Sequence, residues 1–163
     1  MAAESADDVR AIRLPDSDAT HRFGHWLGAN LRAGDALALV GELGAGKTTL
    51  ARGIAAGLAV DDPDAVSSPT YLLVVEHAGP RRLLHADAYL PEKLAGFLRD
   101  GGLEYLFDPA AVAVVEWADR VRNLMPARTL WVTIALDHDG ARTLGLRAPA
   151  AAFPWLAAWP KIA

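Results

Sequence analysis

Gly41-Glu42-Leu43-Gly44-Ala45-Gly46-Lys47-Thr48 reads Gly-x-x-x-x-Gly-Lys-Thr and follows the apolar run Ala36 to Val40. A strand entering such a loop and a helix leaving it at Lys47 is the arrangement of a phosphate-binding loop. Its backbone N–H groups converge on phosphate oxygens at a helix N-terminus, and Gly41, Gly44 and Gly46 remove the Cβ atoms that would block the approach. Glu42, Leu43 and Ala45 complete the cradle. Lys47 is then positioned for the β- and γ-phosphates, and Thr48 offers its hydroxyl to Mg²⁺.

The bulk of the chain agrees with a single soluble domain. Its 163 residues are 52% hydrophobic and 22% charged, enough for a sizeable core but not for a second full domain. The formal net charge of -4 argues against a protein that grips a nucleic-acid backbone alone, so any nucleic-acid role is expected to be indirect. There is no Cys, hence no disulfide framework and no thiolate zinc site, as suits a reducing, cytoplasmic setting. Met1 to Asp8 is small and acidic and lacks the cationic flank and apolar centre of a secretory signal. The apolar tail Ala148 to Trp159 is too short to span a bilayer and is broken by Pro149 and Pro154, so no membrane association is expected.

Outward from the loop, periodicity sketches an α/β order. Val9 to Leu14 alternates as a strand, and Ser17 caps a helix whose Phe23, Trp26, Leu27 and Leu31 share one face, with Gly34 closing it. His21 and His25 stand four apart there, but no third ligand lies at a useful spacing, and they read as surface histidines. The helix Lys47 to Leu58 turns Leu50, Ala51, Ile54, Ala55 and Leu58 toward the sheet, and Gly53 and Gly57 weaken it a little. Tyr71 to Glu76 and Arg82 to Ala86 form an antiparallel hairpin. Pro91 opens a helix that Gly101 and Gly102 stop, and a short helix follows from Leu103 to Phe107. Ala111 to Val115 reads as a central parallel strand with Glu116 at its carboxyl end, where ligands sit in open α/β sheets. Asp119 to Met125 is a short helix or loop. Leu130 to Leu136 and Arg142 to Arg147 are two strands around the turn Asp137-His138-Asp139-Gly140. That turn also matches the Asp-x-x-Gly of GTPases, but its late position marks it as a hairpin turn.

A phosphate loop requires a second acid to hold the Mg²⁺ shell, usually at the end of a neighbouring apolar strand. Glu116 has the stronger context and Asp87, after Leu83 to Ala86, the weaker. No Asn-Lys-x-Asp occurs to recognise guanine, which favours ATP. The chain lacks the length and the Leu-Ser-Gly-Gly-Gln segment of a transporter ATPase. A small-molecule kinase is the alternative, although the Arg residues after the first hairpin are too scattered for the usual Arg-rich lid.

Four stretches, in this order, carry a family likeness: Gly41 to Thr49, Ser68-Pro69-Thr70-Tyr71, His85-Ala86-Asp87-Ala88-Tyr89, and Val115-Glu116-Trp117. With them the chain resembles the bacterial TsaE (YjeE) family, the ATPase component of tRNA threonylcarbamoyladenosine synthesis, over about residues 9–147. The resemblance implies a P-loop fold with a mixed, mostly parallel sheet, flanking helices and antiparallel hairpins. The likeness covers the ATPase domain at 9–147; from its own residues the start at 1–8 is expected to be disordered, and the tail at 148–163 to pack on the domain rather than dock a partner. It implies ATP and Mg²⁺ as cofactors, with the loop through Thr49 holding the nucleotide and Thr48 and Glu116 near the metal. Lys47, Asp87 and Glu116 would be the catalytic set, Asp87 orienting the attacking water. Thr70 would sense the nucleotide and Trp117 would lie beside it, so residues 67–71 are more than the plain turn their composition suggests. The implied partners are TsaB and TsaD, with tRNA reached through their complex; with no obvious arginine finger in cis, ATP turnover is expected to be slow alone and faster on assembly. One departure stands out: the family usually has Arg after the Tyr of the Asp-x-Tyr element, and this chain has Leu90, leaving any such role to a residue such as Arg120.

Overall fold

The computed structural model describes residues 7–70 and 73–159. The chain forms β1 (Asp8–Leu14), α1 (Ser17–Asn30), β2 (Ala36–Val40), α2 (Lys47–Gly57), β3 (Val74–His77) and β4 (Arg82–Asp87). It continues through α3 (Pro91–Phe97), α4 (Leu103–Leu106), β5 (Ala111–Glu116), β6 (Thr129–Leu136) and β7 (Arg142–Ala148). The strands make one seven-stranded sheet in the order β1-β7-β6-β2-β5-β4-β3. Its centre, β6-β2-β5-β4, is parallel, and the β6-β7-β1 and β4-β3 flanks are antiparallel. The P-loop-type α/β fold is the one expected.

The alternation along β2 explains the layers. Leu37 and Leu39 enter the core that holds Phe23, Leu27, Leu50 and Ile54 of α1 and α2. Ala36 and Ala38 face the other way, into the cluster with Leu94, Leu98, Leu106 and Val121. With apolar side chains on both faces, β2 is buried from Ala36 to Leu39, as a central parallel strand must be. The carboxyl ends of β2, β4 and β5 therefore meet at one edge, where the phosphate loop begins.

Several local expectations change. Asp16, not Ser17, caps α1: its side chain accepts from the backbone N–H of Ala19 at 2.8 Å. α1 ends at Asn30, so Gly34 (φ 92°) serves the turn into β2 rather than the helix end. Asp8 lies in β1, not in a disordered start; residues 1–6 fall outside the described residues. β3 begins at Val74, while Tyr71 and Leu72 of the expected strand are outside the described residues. Gly101 (φ 97°) and Gly102 do not end the helical path but kink it, through a wide turn at Leu98–Gly102, into α4.

The glycines of α2 have a packing role that periodicity hides. A Cβ on Gly57 would stand 2.1 Å from the His25 carbonyl oxygen, and one on Gly28 would stand 2.1 Å from that of Ile54. Each helix thus presents glycine to the other's backbone. Arg81 ties the same ends together, donating to the Gly28 and Leu31 carbonyls at 2.8 Å and to that of Gly57 at 2.7 Å. Gly57→Ala is expected to cost about 1–3 kcal/mol by forcing the helices apart, more than the helix-propensity gain of about 1 kcal/mol. A lowered thermal midpoint would show it; an unchanged one would mean the helices separate without penalty.

After β7 the chain turns back onto α1. Phe153 and Leu156 are buried, and Trp26 lies with its ring centroid 5.3 Å from that of Trp155 and 4.8 Å from that of Trp159. Residues 160–163 are outside the described residues.

Candidate functional site

The loop after β2 closes tightly because Gly44 (φ 79°) and Gly46 (φ 116°) adopt left-handed backbone that side-chain-bearing residues rarely take. Gly46 immediately precedes α2, so the unpaired N–H groups of the first helical turn face a cavity of about 560 Å³. Its walls include Gly44, Lys47, Thr48, Glu116, Trp117 and Arg142. Backbone N–H groups converging at a helix start favour a bound anion.

Lys47 is 6% exposed, and its Nζ donates to the carbonyl oxygens of Gly41 at 2.5 Å and Glu42 at 2.8 Å. Nζ also stands 4.3 Å from the centroid of the Trp117 ring. Burial pushes its pKa below the usual lysine value, opposed by the nearby Glu116 and Asp87 carboxylates. A cation desolvated in this way is well suited to meet phosphate charge.

The two acids are register partners at the ends of β4 and β5, Asp87 opposite Glu116, and both are almost fully buried. Asp87 Oδ2 accepts from Ser68 Oγ at 2.7 Å and Thr70 Oγ1 at 3.3 Å, while its Oδ1 accepts from the Tyr89 backbone N–H at 2.7 Å. The Ser-Pro-Thr segment is thereby fastened to the strand-end acid. Glu116 Oε2 meets His85 Nε2 at 2.6 Å in a fully buried contact. A carboxylate oxygen can only accept, so Nε2 carries the proton. His85 Nδ1 then lies buried without a partner among the described residues.

Trp117 takes left-handed backbone (φ 57°) where β5 ends, an uncommon conformation for a bulky residue that sets its ring over Lys47. Next to it, Arg120 lies 4.6 Å from the Trp117 ring and 5.1 Å from that of Tyr89, and it donates to the Tyr89 carbonyl at 2.6 Å. Arg120 therefore reaches the element in which Leu90 departs from the family pattern.

Phosphate and Mg²⁺ fit this donor set. Gly44 leaves open space where a Cβ would stand, and only one oxygen of Glu116 is engaged by His85. Thr48 and Glu116 line one cavity, and among the described residues no group of three His, Asp or Glu is placed to hold a metal ion by itself. Magnesium is commonly held by few protein oxygens together with substrate phosphates, and such a set is what these residues offer.

The structure brings together Gly44, Gly46, Lys47, Thr48, Thr49, Thr70, Glu116 and Trp117 around the cavity, with Leu43 at its edge. Asp87 stands behind Ser68 and Thr70. Gly41 and Glu42 act through their carbonyls, and Ala45 is buried in the core below. Sequence reasoning quoted His85 and Tyr89 within a family stretch but gave them no role, and it passed over Arg142. A hydrophobic strand context obscured His85, and nothing local to Arg142 points across the sheet to the loop. Residues 137–140 form the hairpin turn expected, closed by the Gly140 N–H to the Asp137 carbonyl at 3.1 Å.

Comparison with known proteins points to one family. A family model for threonylcarbamoyl adenosine biosynthesis protein TsaE matches residues 14–144. The chain is similar to the tRNA threonylcarbamoyladenosine biosynthesis protein TsaE of Treponema pallidum, at 33% identity over 77% of this chain and 90% of the relative. It is likewise similar to the TsaE protein of Mycobacterium leprae, at 43% identity over 68% and 73% of the two chains. Among solved structures, Bacillus subtilis YdiB superposes with a TM-score of 0.71 at 25% identity, covering 94% of this chain and 95% of the other.

Proposed function

The chain belongs to the TsaE family of tRNA threonylcarbamoyladenosine biosynthesis, and on that premise we propose that it is the pathway's Mg²⁺-dependent ATPase. In this reading it acts in the cytoplasm with TsaB and TsaD and reaches tRNA through them. The modified base is adenosine 37 of tRNAs that read codons beginning with A.

The observation that carries the reading is the buried Asp87 carboxylate bonded to Ser68 and Thr70 beside the cavity of Lys47 and Glu116. In-line hydrolysis asks for a cradle, a cation and an acid that orients water, and these residues supply all three. The loop N–H groups and Lys47 hold the triphosphate and stabilise charge spreading onto the γ-phosphoryl oxygens. Asp87 orients the water that attacks the γ-phosphorus as the bond to the β–γ bridging oxygen breaks, giving ADP and phosphate. Mg²⁺, held by Thr48 and Glu116, would neutralise charge between the β- and γ-phosphates. His85 keeps Glu116 oriented. No helix among the described residues is long and apolar enough to cross a membrane.

The decisive measurement is phosphate release by the purified chain with and without TsaB and TsaD. Slow turnover alone and a marked increase on assembly are expected. Fast release that ignores the partners would overturn the coupling, and a phosphorylated small-molecule acceptor formed in step with ADP would indicate a kinase instead.

A further inference from the structure

We propose that Arg142 is the α-phosphate clamp of the nucleotide site, an assignment that rests on the nucleotide-binding reading above. The sheet order provides the polarity. Glu116 and Asp87 come from β5 and β4, on one side of β2 and its loop, whereas Arg142 comes from β7, beyond β6 on the other side. Both sides line the same cavity. In a phosphate loop the Lys reaches the β- and γ-phosphates and the loop amides hold the α- and β-phosphates. Since Lys47, Thr48 and the acids mark the γ end, a cation across the loop from them faces the α-phosphate.

The local geometry supports a contact with an anion. Arg142 Nε lies 3.7 Å from the point where a Cβ on Gly46 would stand, against the last residue before α2. Nε is buried and without a hydrogen-bond partner among the described residues. The guanidinium donates from Nη1 to the Gly140 carbonyl at 2.7 Å, which ties it to the β6–β7 turn. Arg13, Arg82, Arg128 and Arg147 each face a carboxylate, but no carboxylate pairs with Arg142 among the described residues. A guanidinium anchored at one nitrogen, unpaired in charge and set beside a helix start is pre-organised for a phosphate oxygen.

The test is calorimetric titration of ATP, ADP, AMP and adenosine into the wild-type chain and Arg142→Ala. A hydrogen bond to a charged group predicts that ATP, ADP and AMP weaken by a common factor of about 10 to 100, with adenosine unchanged. Arg142→Gln, which retains a donor for the Gly140 carbonyl, should show the same pattern at a wild-type thermal midpoint, so a folding defect is distinguishable. ATP affinity within twofold of wild type would overturn the assignment. A loss confined to ATP would move Arg142 to the γ-phosphate, and one shared by adenosine would make it a base contact; either refutes the clamp. If the wild-type chain binds none of the four ligands, the nucleotide reading itself fails.

Discussion

Lys47→Ala is expected to reduce ATP hydrolysis by at least about a hundredfold, the scale of losing one preorganised charge-stabilising donor. The same change should weaken ATP more than AMP, because the proposed role of Lys47 is at the β- and γ-phosphates. The size of the expected effect follows from burial: at 6% exposure and with its pKa lowered by desolvation, Lys47 would act on a bound phosphate with little screening by water. The substitution also leaves the Gly41 and Glu42 carbonyls without their Nζ donor. Thermal unfolding of the variant must therefore accompany the rate. Hydrolysis within tenfold of wild type in a folded Lys47→Ala protein would remove Lys47 from the catalytic set.

Asp87→Asn should separate binding from chemistry. Asn keeps an oxygen for the Tyr89 N–H, and its amide can donate to Ser68 or Thr70, whose hydroxyls rotate to accept. The fold around the Ser-Pro-Thr segment is thus retained while the carboxylate charge proposed to orient water is lost. Turnover is expected to fall about 10²- to 10⁴-fold, with ATP affinity changed only a few-fold. Single-turnover hydrolysis and equilibrium titration on the same preparation would read the two quantities. Unimpaired turnover would leave Asp87 as no more than the anchor of Ser68 and Thr70.

The two variants probe residues that reached the site by different routes. Lys47 was legible because glycines, a preceding apolar run and a helix start all lie within a dozen residues. Glu116 was legible for a similar reason, as an acid ending an apolar strand. Asp87 had a weaker local context, and its importance appears in the pairing of β4 with β5, which sets it opposite Glu116. Thr70 entered through a family likeness, yet Ser68 makes the shorter bond to Asp87, 2.7 Å against 3.3 Å. How closely each of two hydroxyls in one short segment approaches the acid depends on the backbone around Pro69, and composition carries no trace of it.

Helix packing shows the same division. Gly53 and Gly57 count as weaknesses when α2 is considered alone, since glycine costs a helix about 1 kcal/mol relative to alanine. Against α1 they are contact points, because a Cβ on Gly53 would lie 2.3 Å from the His21 carbonyl and one on Gly57 would lie 2.1 Å from that of His25. The two histidines read as ordinary surface residues thus matter through their backbones. Asp16 displaced Ser17 as the cap of α1 because both residue types can cap, and only the observed chain direction decides which side chain reaches the Ala19 N–H.

By itself, the sequence determined the α/β class, the phosphate loop, the strand-end acids and the family, since each is written in short windows where glycine, periodicity and charge act locally. Tertiary structure decided which side chains meet there. The strand order placed His85 behind Glu116 and Asp87 behind Ser68 and Thr70, and it set Arg142 across the loop from the acids. The physical reason is that these contacts join residues far apart in the chain, and their distances follow from sheet order and register rather than from any local preference.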